Sequence, residues 1–384
     1  MGNHYLTGFT KQQTMKFISF LLSILGFGAL FSCKKSGYEI KDGVVYFKNV
    51  PVRAADANSF ESLNSVFGKD VKNAYYRGYP IDADCHSFVA LNENYAKDKS
   101  SVFYCTNALD GKTYFTTRNN KISKINGADA ATFELLAYNY AKDKSHCYAD
   151  GISFPVQDLA TFTPLDGTYA TDKEVGYFRL TPILKSDGSS FKPLSGGFSK
   201  DRIQVYYSWM KSDDSSGRSV PTSKVIAGAD PVSFTVLDGD YSTDKTHVYY
   251  KTGMLTSANP LTIHFLKPYE YNYVSDSTHL YYQDQRIQNA DLNSFETLAE
   301  GYARDTRSVF FKANSLKNSD PGSFTVLNGG YAKDKAHVYF MGNEIRNADP
   351  ASFKMVDNVY EQDAGDAGST YYNGKKTGKN RTNL

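Results

Sequence analysis

Apolar and polar positions recur along this chain with a period near 29 residues. A ladder of aspartates marks it: Asp42, Asp70, Asp98, Asp143, Asp172, Asp201, Asp244, Asp276, Asp305, Asp334 and Asp363, at steps of 28, 28, 45, 29, 29, 43, 32, 29, 29 and 29. Ten residues before most rungs stands a phenylalanine (Phe60, Phe88, Phe133, Phe162, Phe191, Phe234, Phe295, Phe324, Phe353), and Ile263 fills the remaining slot with a three-residue insertion. Self-similarity at a fixed period of this size is the mark of units that cannot bury their apolar faces alone and must stack.

Within one period the order of elements follows from local chemistry. In Ala348-Asp349-Pro350-Ala351-Ser352-Phe353, an aspartate before a proline predicts a capped helical turn, since the carboxylate accepts from free amides and proline loses no needed donor. Phe353 with Val356, Phe324 with Leu327 and Phe234 with Leu237 then fall on one side of that turn and are expected in the core. A glycine loop follows, and Val338-Tyr339-Phe340, Val248-Tyr249-Tyr250 and Val309-Phe310-Phe311 predict strands. Alternation buries the first and third residues and turns the middle one outward. Tyr249, Tyr281, Phe310 and Tyr339 would thus form an exposed strip suited to a sugar ring or a peptide, or else pack between repeats. Gly342-Asn343 and Gly253 close a hairpin, and Ile345 or Leu255 begins the return strand. The expected fold is all-β with short helical turns: an open, solenoid-like repeat array of stacked β-hairpins. A β-propeller is the alternative, although its blades need about 40 to 50 residues for four strands.

The repeated run Tyr-Ala-x-Asp-Lys stands at Tyr95 to Lys99, Tyr140 to Lys144, Tyr169 to Lys173 and Tyr331 to Lys335, with Tyr241 to Lys245 as a close variant. On these residues the chain resembles the DKNYY family, over most of residues 40–373. Val71, Arg202, Ser277, Thr306 and Ala364 depart from the pattern in the lysine slot. The resemblance implies a bacterial envelope location and no reaction.

The N-terminus carries an address. Met15 and Lys16 precede the apolar run Phe17 to Phe31, shorter than the roughly 20 residues a permanent span needs. It ends in Leu30-Phe31-Ser32-Cys33, which resembles a bacterial lipobox. The expected organisation is a signal peptide over 1–32, with 1–14 an over-long start, a lipid-anchored tether over 33–39, a repeat domain over 40–373 and a polar tail over 374–384. Lipidation of Cys33 would anchor the protein to a bacterial membrane, the outer membrane being the expected one with its leaflet open; several acyl chains at about 0.8 kcal/mol per buried methylene hold it essentially permanently. An uncleaved anchor is the alternative reading.

Composition then narrows the function. Aromatic residues at 15% speak for a packed chain, and 43 Lys+Arg against 41 Asp+Glu is too even for a surface that grips phosphate backbones, so no nucleic acid is expected. The two longest steps place their excess at one site in the repeat: Cys105 to Lys124 and Ser208 to Val225 replace a hairpin tip. Insertions in repeat arrays often gather on the binding edge, and neutral insertion into a permissive tip is the alternative; the candidate partner-binding residues are Tyr114, Phe115, Arg118, Trp209 and Arg218, toward a protein or a glycan. Aspartates 14 apart, as in Asp320 and Asp334, are read as caps rather than calcium ligands, which need six to eight clustered oxygens. His146, His247, His279 and His337 share one slot and offer one ligand per repeat, too few for zinc. Cys85, Cys105 and Cys147 allow at most one bridge, with Cys85 to Cys105 the conceivable pair. No nucleophile with its base is recognisable. The expectation is a non-catalytic binding or scaffolding surface without cofactor or metal. Its rivals are a glycan- or peptidoglycan-acting enzyme, whose paired carboxylates would stand roughly 5 to 9.5 Å apart with one pKa raised, and a structural spacer.

Overall fold

The computed structural model describes residues 36–109, 118–213, 217–266, 272–359 and 362–378. Cys33 and the signal segment, with Tyr114 and Phe115, lie outside the described residues. The described chain is all-β. It forms eleven small antiparallel sheets, one of three strands and ten of four, each a meander whose strands pair in sequence order and none closed on itself. The chain divides into two compact units, Met1–Phe154 with four of the sheets and Pro155–Leu384 with seven.

One repeat shows how the sequence builds a sheet. Thr325–Val326, Tyr331–Lys333, Val338–Phe340 and Asn343–Glu344 are its strands. Tyr331 pairs with Phe340, Ala332 with Tyr339 and Lys333 with Val338. β-Branched and aromatic residues fill the two central strands, as a pleated surface covered on both sides requires. Tyr331 and Val338 face the following repeat, where they meet Phe353, Ala364 and Tyr371. Ala332 and Tyr339 face the preceding one, where they meet Phe324, Tyr302, Val309 and Leu316. The same alternation assembles Tyr95, Val102, Phe133, Ala141 and Tyr148 in the first unit. Each core is therefore shared between two repeats, which is why no repeat is self-sufficient.

Three expectations are corrected by this packing. The middle residues Tyr249, Tyr281, Phe310 and Tyr339 do not turn outward but pack between repeats, the other of the two readings: all four are buried, because the second face of each sheet is covered by its neighbour. The Asp-Pro segment is a tight turn rather than a helical one; among the described residues the only helical geometry is three short 3₁₀ turns, Ala137–Asn139, Gly188–Ser190 and Ala299–Gly301. The segment runs straight into a strand, so residues three apart point to opposite faces. Phe324 enters one core while Leu327 packs on the next, and Leu237 is 40% exposed. Finally, the last rung is Asp366, not Asp363. Asp366 is buried and accepts from the amide 17 residues earlier, the same stretched spacing that Asp276 shows. Asp42 is an exposed turn residue with φ 48°.

The two insertions lengthen a hairpin without interrupting the stack. Val102–Leu109 pairs with Arg118–Lys124, and Val205–Asp213 with Arg218–Val225, forming one ribbon in each unit.

Candidate binding surface at the hairpin ribbons

The rung aspartates, expected as caps rather than calcium ligands, accept hydrogen bonds from backbone amides and a tyrosine hydroxyl. Asp334 Oδ2 accepts from the Asp320 amide at 3.0 Å and from the Tyr339 hydroxyl at 2.9 Å. Its Oδ1 accepts from the amides of Ala336 and His337, both at 2.7 Å. Burial alone would raise this carboxyl, but those donors together outweigh it and hold the pKa below the usual carboxylate range. Asp70, Asp143, Asp172 and Asp244 repeat the four-donor pattern. Every described carboxyl with a resolved shift moves down, the opposite of what an acid catalyst with a raised pKa requires.

The earlier aspartate of the repeat caps its own turn, with Asn259 in its place before Asp276. Asp84 accepts from the His86 amide and the Ser87 hydroxyl, and Lys99 reaches it at 2.7 Å. Lys144 with Asp129 and Lys173 with Asp158 repeat that pair. This explains the lysine slot: it holds an exposed ion pair, worth little in isolation, so replacing the lysine leaves the fold intact. The hydroxyl of Ser87 in turn accepts from the Lys99 amide.

Tyrosine hydroxyls bind one repeat to the next. Tyr302 donates to the Gly330 carbonyl and accepts from the Gly342 amide, each at 3.0 Å, and burial pushes its pKa up to about 12. Gly342 is required there, with φ 77° and a Cβ position only 2.7 Å from the Phe311 ring.

The histidines serve the same turns. The amides of His146, His247, His279 and His337 all bond their rung aspartate, and their rings lean on the tyrosine two residues on, at 6.1 to 6.2 Å. Cys85, Cys105 and Cys147 are buried thiols with no disulfide among them. Asp84, Cys85 and His86 are the one cluster of metal-ligand types among the described residues, but they are consecutive in the chain and Asp84 is already held by Lys99.

The ribbons differ from all this. In the first, Arg118, Lys121 and Lys124 are exposed; Arg118 donates from Nη1 to the Asn107 carbonyl at 3.0 Å, and it borders a groove of about 490 Å³ that also includes Phe47, Lys48, Arg77 and Tyr79. In the second, Trp209 stacks on Tyr207 at 5.8 Å with Lys224 5.9 Å from its ring. With Lys251 and Thr252 the two rings line a depression of about 160 Å³, small against ordinary ligand sites. Arg218 is exposed at the far end, paired in register with Asp213, while Trp209 pairs with Thr222. Four positions along a strand are about 13 Å, so Trp209 and Arg218 do not share one site. The partners Lys48, Arg77 and Tyr79 were missed because they come from earlier repeats; their one sequence signal is the turn-forming pairs Lys48-Asn49 and Arg77-Gly78.

Repeated four-stranded sheets with shared aromatic cores and aspartate-held loops define a β-repeat protein. The chain matches the model of the DKNYY family over residues 1–107, 75–210, 219–329 and 314–376, and it belongs to that family. No curated protein and no solved structure matches it.

Proposed function

We propose that this protein is a bacterial envelope lipoprotein, acylated at Cys33 and held on the outer membrane, whose repeat domain is a non-catalytic binding or scaffolding surface. The lipobox-like Leu30-Phe31-Ser32-Cys33 after a short apolar run supports the anchor. No helix among the described residues is long and apolar enough to cross a membrane. The observation that carries the binding reading is a contrast: rung aspartates, turn caps and core tyrosines are engaged within the stack, whereas the two ribbons carry exposed basic groups beside aromatic rings. Insertions that lengthen a tip leave the stack undisturbed and enlarge only the surface a partner can reach.

The test has two arms. Cys33→Ser should abolish acylation and release the protein from membranes; unchanged mass and fractionation would refute the anchor. Replacing residues 108–119, or 211–220, by Asn-Gly joins each shortened hairpin with a two-residue turn. Crosslinking in the native envelope, read by mass spectrometry, should then lose adducts that the parent chain forms. An unaltered adduct pattern in both variants would indicate a spacer.

A further inference from the structure

The groove beside the first ribbon has a composition that selects its ligand. Two hairpin tips of successive repeats form one side: Lys48-Asn49, with φ 48° and 68°, and Arg77-Gly78, with φ 51° and 83°. The ribbon, with Asn107, Arg118 and Asn120, forms the other. Its volume of about 490 Å³ is that of a small-molecule site. Among the described residues Lys48, Arg77 and Arg118 line it and no carboxylate does. Glu39 and Glu93 stand instead in the neighbouring cleft of about 690 Å³ that Lys48 and Arg77 also border. The cationic edge is preorganised. Arg77 lies 5.1 Å from the Phe47 ring, its amide donates to the Val66 carbonyl at 2.7 Å, and the Gly78 amide donates to the buried Tyr38 hydroxyl at 3.0 Å. Apolar surface is present beside the charges: Val50 is 65% and Tyr79 59% exposed. Asn107 Nδ2 donates to Asn120 Oδ1 at 2.9 Å, and a primary amide has more donors and acceptors than that one hydrogen bond uses.

Fixed cations, a flat exposed aromatic ring and side-chain amides are, respectively, what carboxylates, the apolar face of a sugar ring and its hydroxyls require. We propose that this groove binds a carboxylated saccharide, its acid groups on Lys48, Arg77 and Arg118 and one ring against Tyr79. The proposal rests on the reading of the repeat domain as a binding surface and names a ligand class for its first ribbon.

The probe is trigalacturonate, titrated calorimetrically into the full-length protein in detergent, with maltotriose as the uncharged saccharide and tricarballylate as a tricarboxylate without sugar. Trigalacturonate should bind saturably, each comparator at least about tenfold more weakly, and its affinity should fall between about 50 and 200 mM salt. The combined variant Lys48→Asn, Arg77→Asn, Arg118→Gln should lose about 100-fold or more, since charge-assisted bonds are the strong ones; asparagine tolerates the left-handed backbone at both tips. Tyr79→Ala, exposed and away from the cores, should lose about tenfold with the thermal midpoint unchanged. Equal affinity for tricarballylate would make the groove a bare anion patch and overturn the proposal. So would equal affinity for maltotriose, unchanged binding by either variant, or no saturation by trigalacturonate up to about 10 mM. If trigalacturonate fails while envelope crosslinks still depend on the ribbons, the ligand class falls and the binding role stands.

Discussion

Replacing Asp334 by asparagine keeps the size of the side chain and removes its charge, which isolates what the rung network contributes. The carboxylate receives four hydrogen bonds, two on each oxygen. Asparagine has one carbonyl. Its best placement keeps that carbonyl on the Ala336 and His337 amides and turns its NH2 toward the Tyr339 hydroxyl, which can rotate to accept. The Asp320 amide then faces a donor. Leaving one buried N–H without an acceptor costs about 1 to 3 kcal/mol, and converting two charge-assisted bonds to neutral ones costs about 1 kcal/mol each, giving about 3 to 5 kcal/mol in all. Tyr339→Phe removes a single bond to the same oxygen and should cost about 1.5 kcal/mol. Repeat arrays unfold by segments rather than in one step, so the assay is native-state hydrogen exchange resolved at the amides of Asp320, Ala336 and His337. In Asp334→Asn the Asp320 amide should exchange at least about 100-fold faster, more than in Tyr339→Phe, with repeats remote from the site unaffected. Equal protection at all three amides, or a larger effect from Tyr339→Phe, would refute the assignment of the rung as an acceptor of backbone donors.

The same carboxylates fix the acid limit. The folded pKa values of Asp70, Asp98, Asp143, Asp172, Asp244, Asp276, Asp334 and Asp366 are held down, so their contribution is present above the unfolded value of about 3.9 and is lost as pH falls through the lower folded values. Urea midpoints should therefore be level on this account above about pH 5 and drop steeply below about pH 4; a level midpoint down to about pH 2 would contradict it. Phe324→Ala removes a ring 5.5 Å from Tyr302 and 5.7 Å from Tyr339 in a shared core and should cost about 3 to 5 kcal/mol, read as a shift of the denaturation midpoint. Tyr302→Phe leaves the Gly342 amide without its acceptor and should cost about 1 to 3 kcal/mol, with faster exchange at Gly342 as its signature. Burial pushes the Cys105 thiol up to about 12, so it should resist iodoacetamide at pH 8 in the folded protein and react on denaturation; fast labelling in the native state would place it at the surface.

The period, the strands and the need for stacking were legible in the chain because they depend on residue types repeated in order. The face assignment was not. Phe324 and Leu327 suit one side of a helical turn, but the two-residue strand Thr325–Val326 puts them in different cores, and no local signal separates a capped turn that stops from one that continues. Reading Tyr339 as outward assumed one covered face per sheet; stacking covers both, a fact that lives on the neighbouring repeats. Asp363 was chosen by holding the step at 29 residues. The distance to the next aromatic would have found the true rung, since Asp366 precedes Tyr371 by five positions as Asp334 precedes Tyr339. Of the candidate site, Arg118 was legible as an exposed cation on an insertion; its neighbours Lys48 and Arg77 meet it only through the stack.

That stacking also explains where this fold has freedom to acquire function. The first residue of the two-residue tips is Lys48, Arg77, Asp150, Arg179, Lys251, Gln283, Lys312, Met341 and Asn373, and φ stays between 44° and 57° at all nine. The backbone is constrained identically while the side chains span both charges, amides and a thioether. At the rungs the reverse holds: the aspartate recurs because its carboxylate has three backbone amides to satisfy and, in most repeats, a tyrosine hydroxyl, and any other side chain leaves some of them buried without an acceptor. A repeat with recurrent internal bonding and freely varied tips confines chemical variation to those tips. There, lysine and arginine at two successive tips beside a ribbon bring three cations into one groove without altering a single bond that holds the stack.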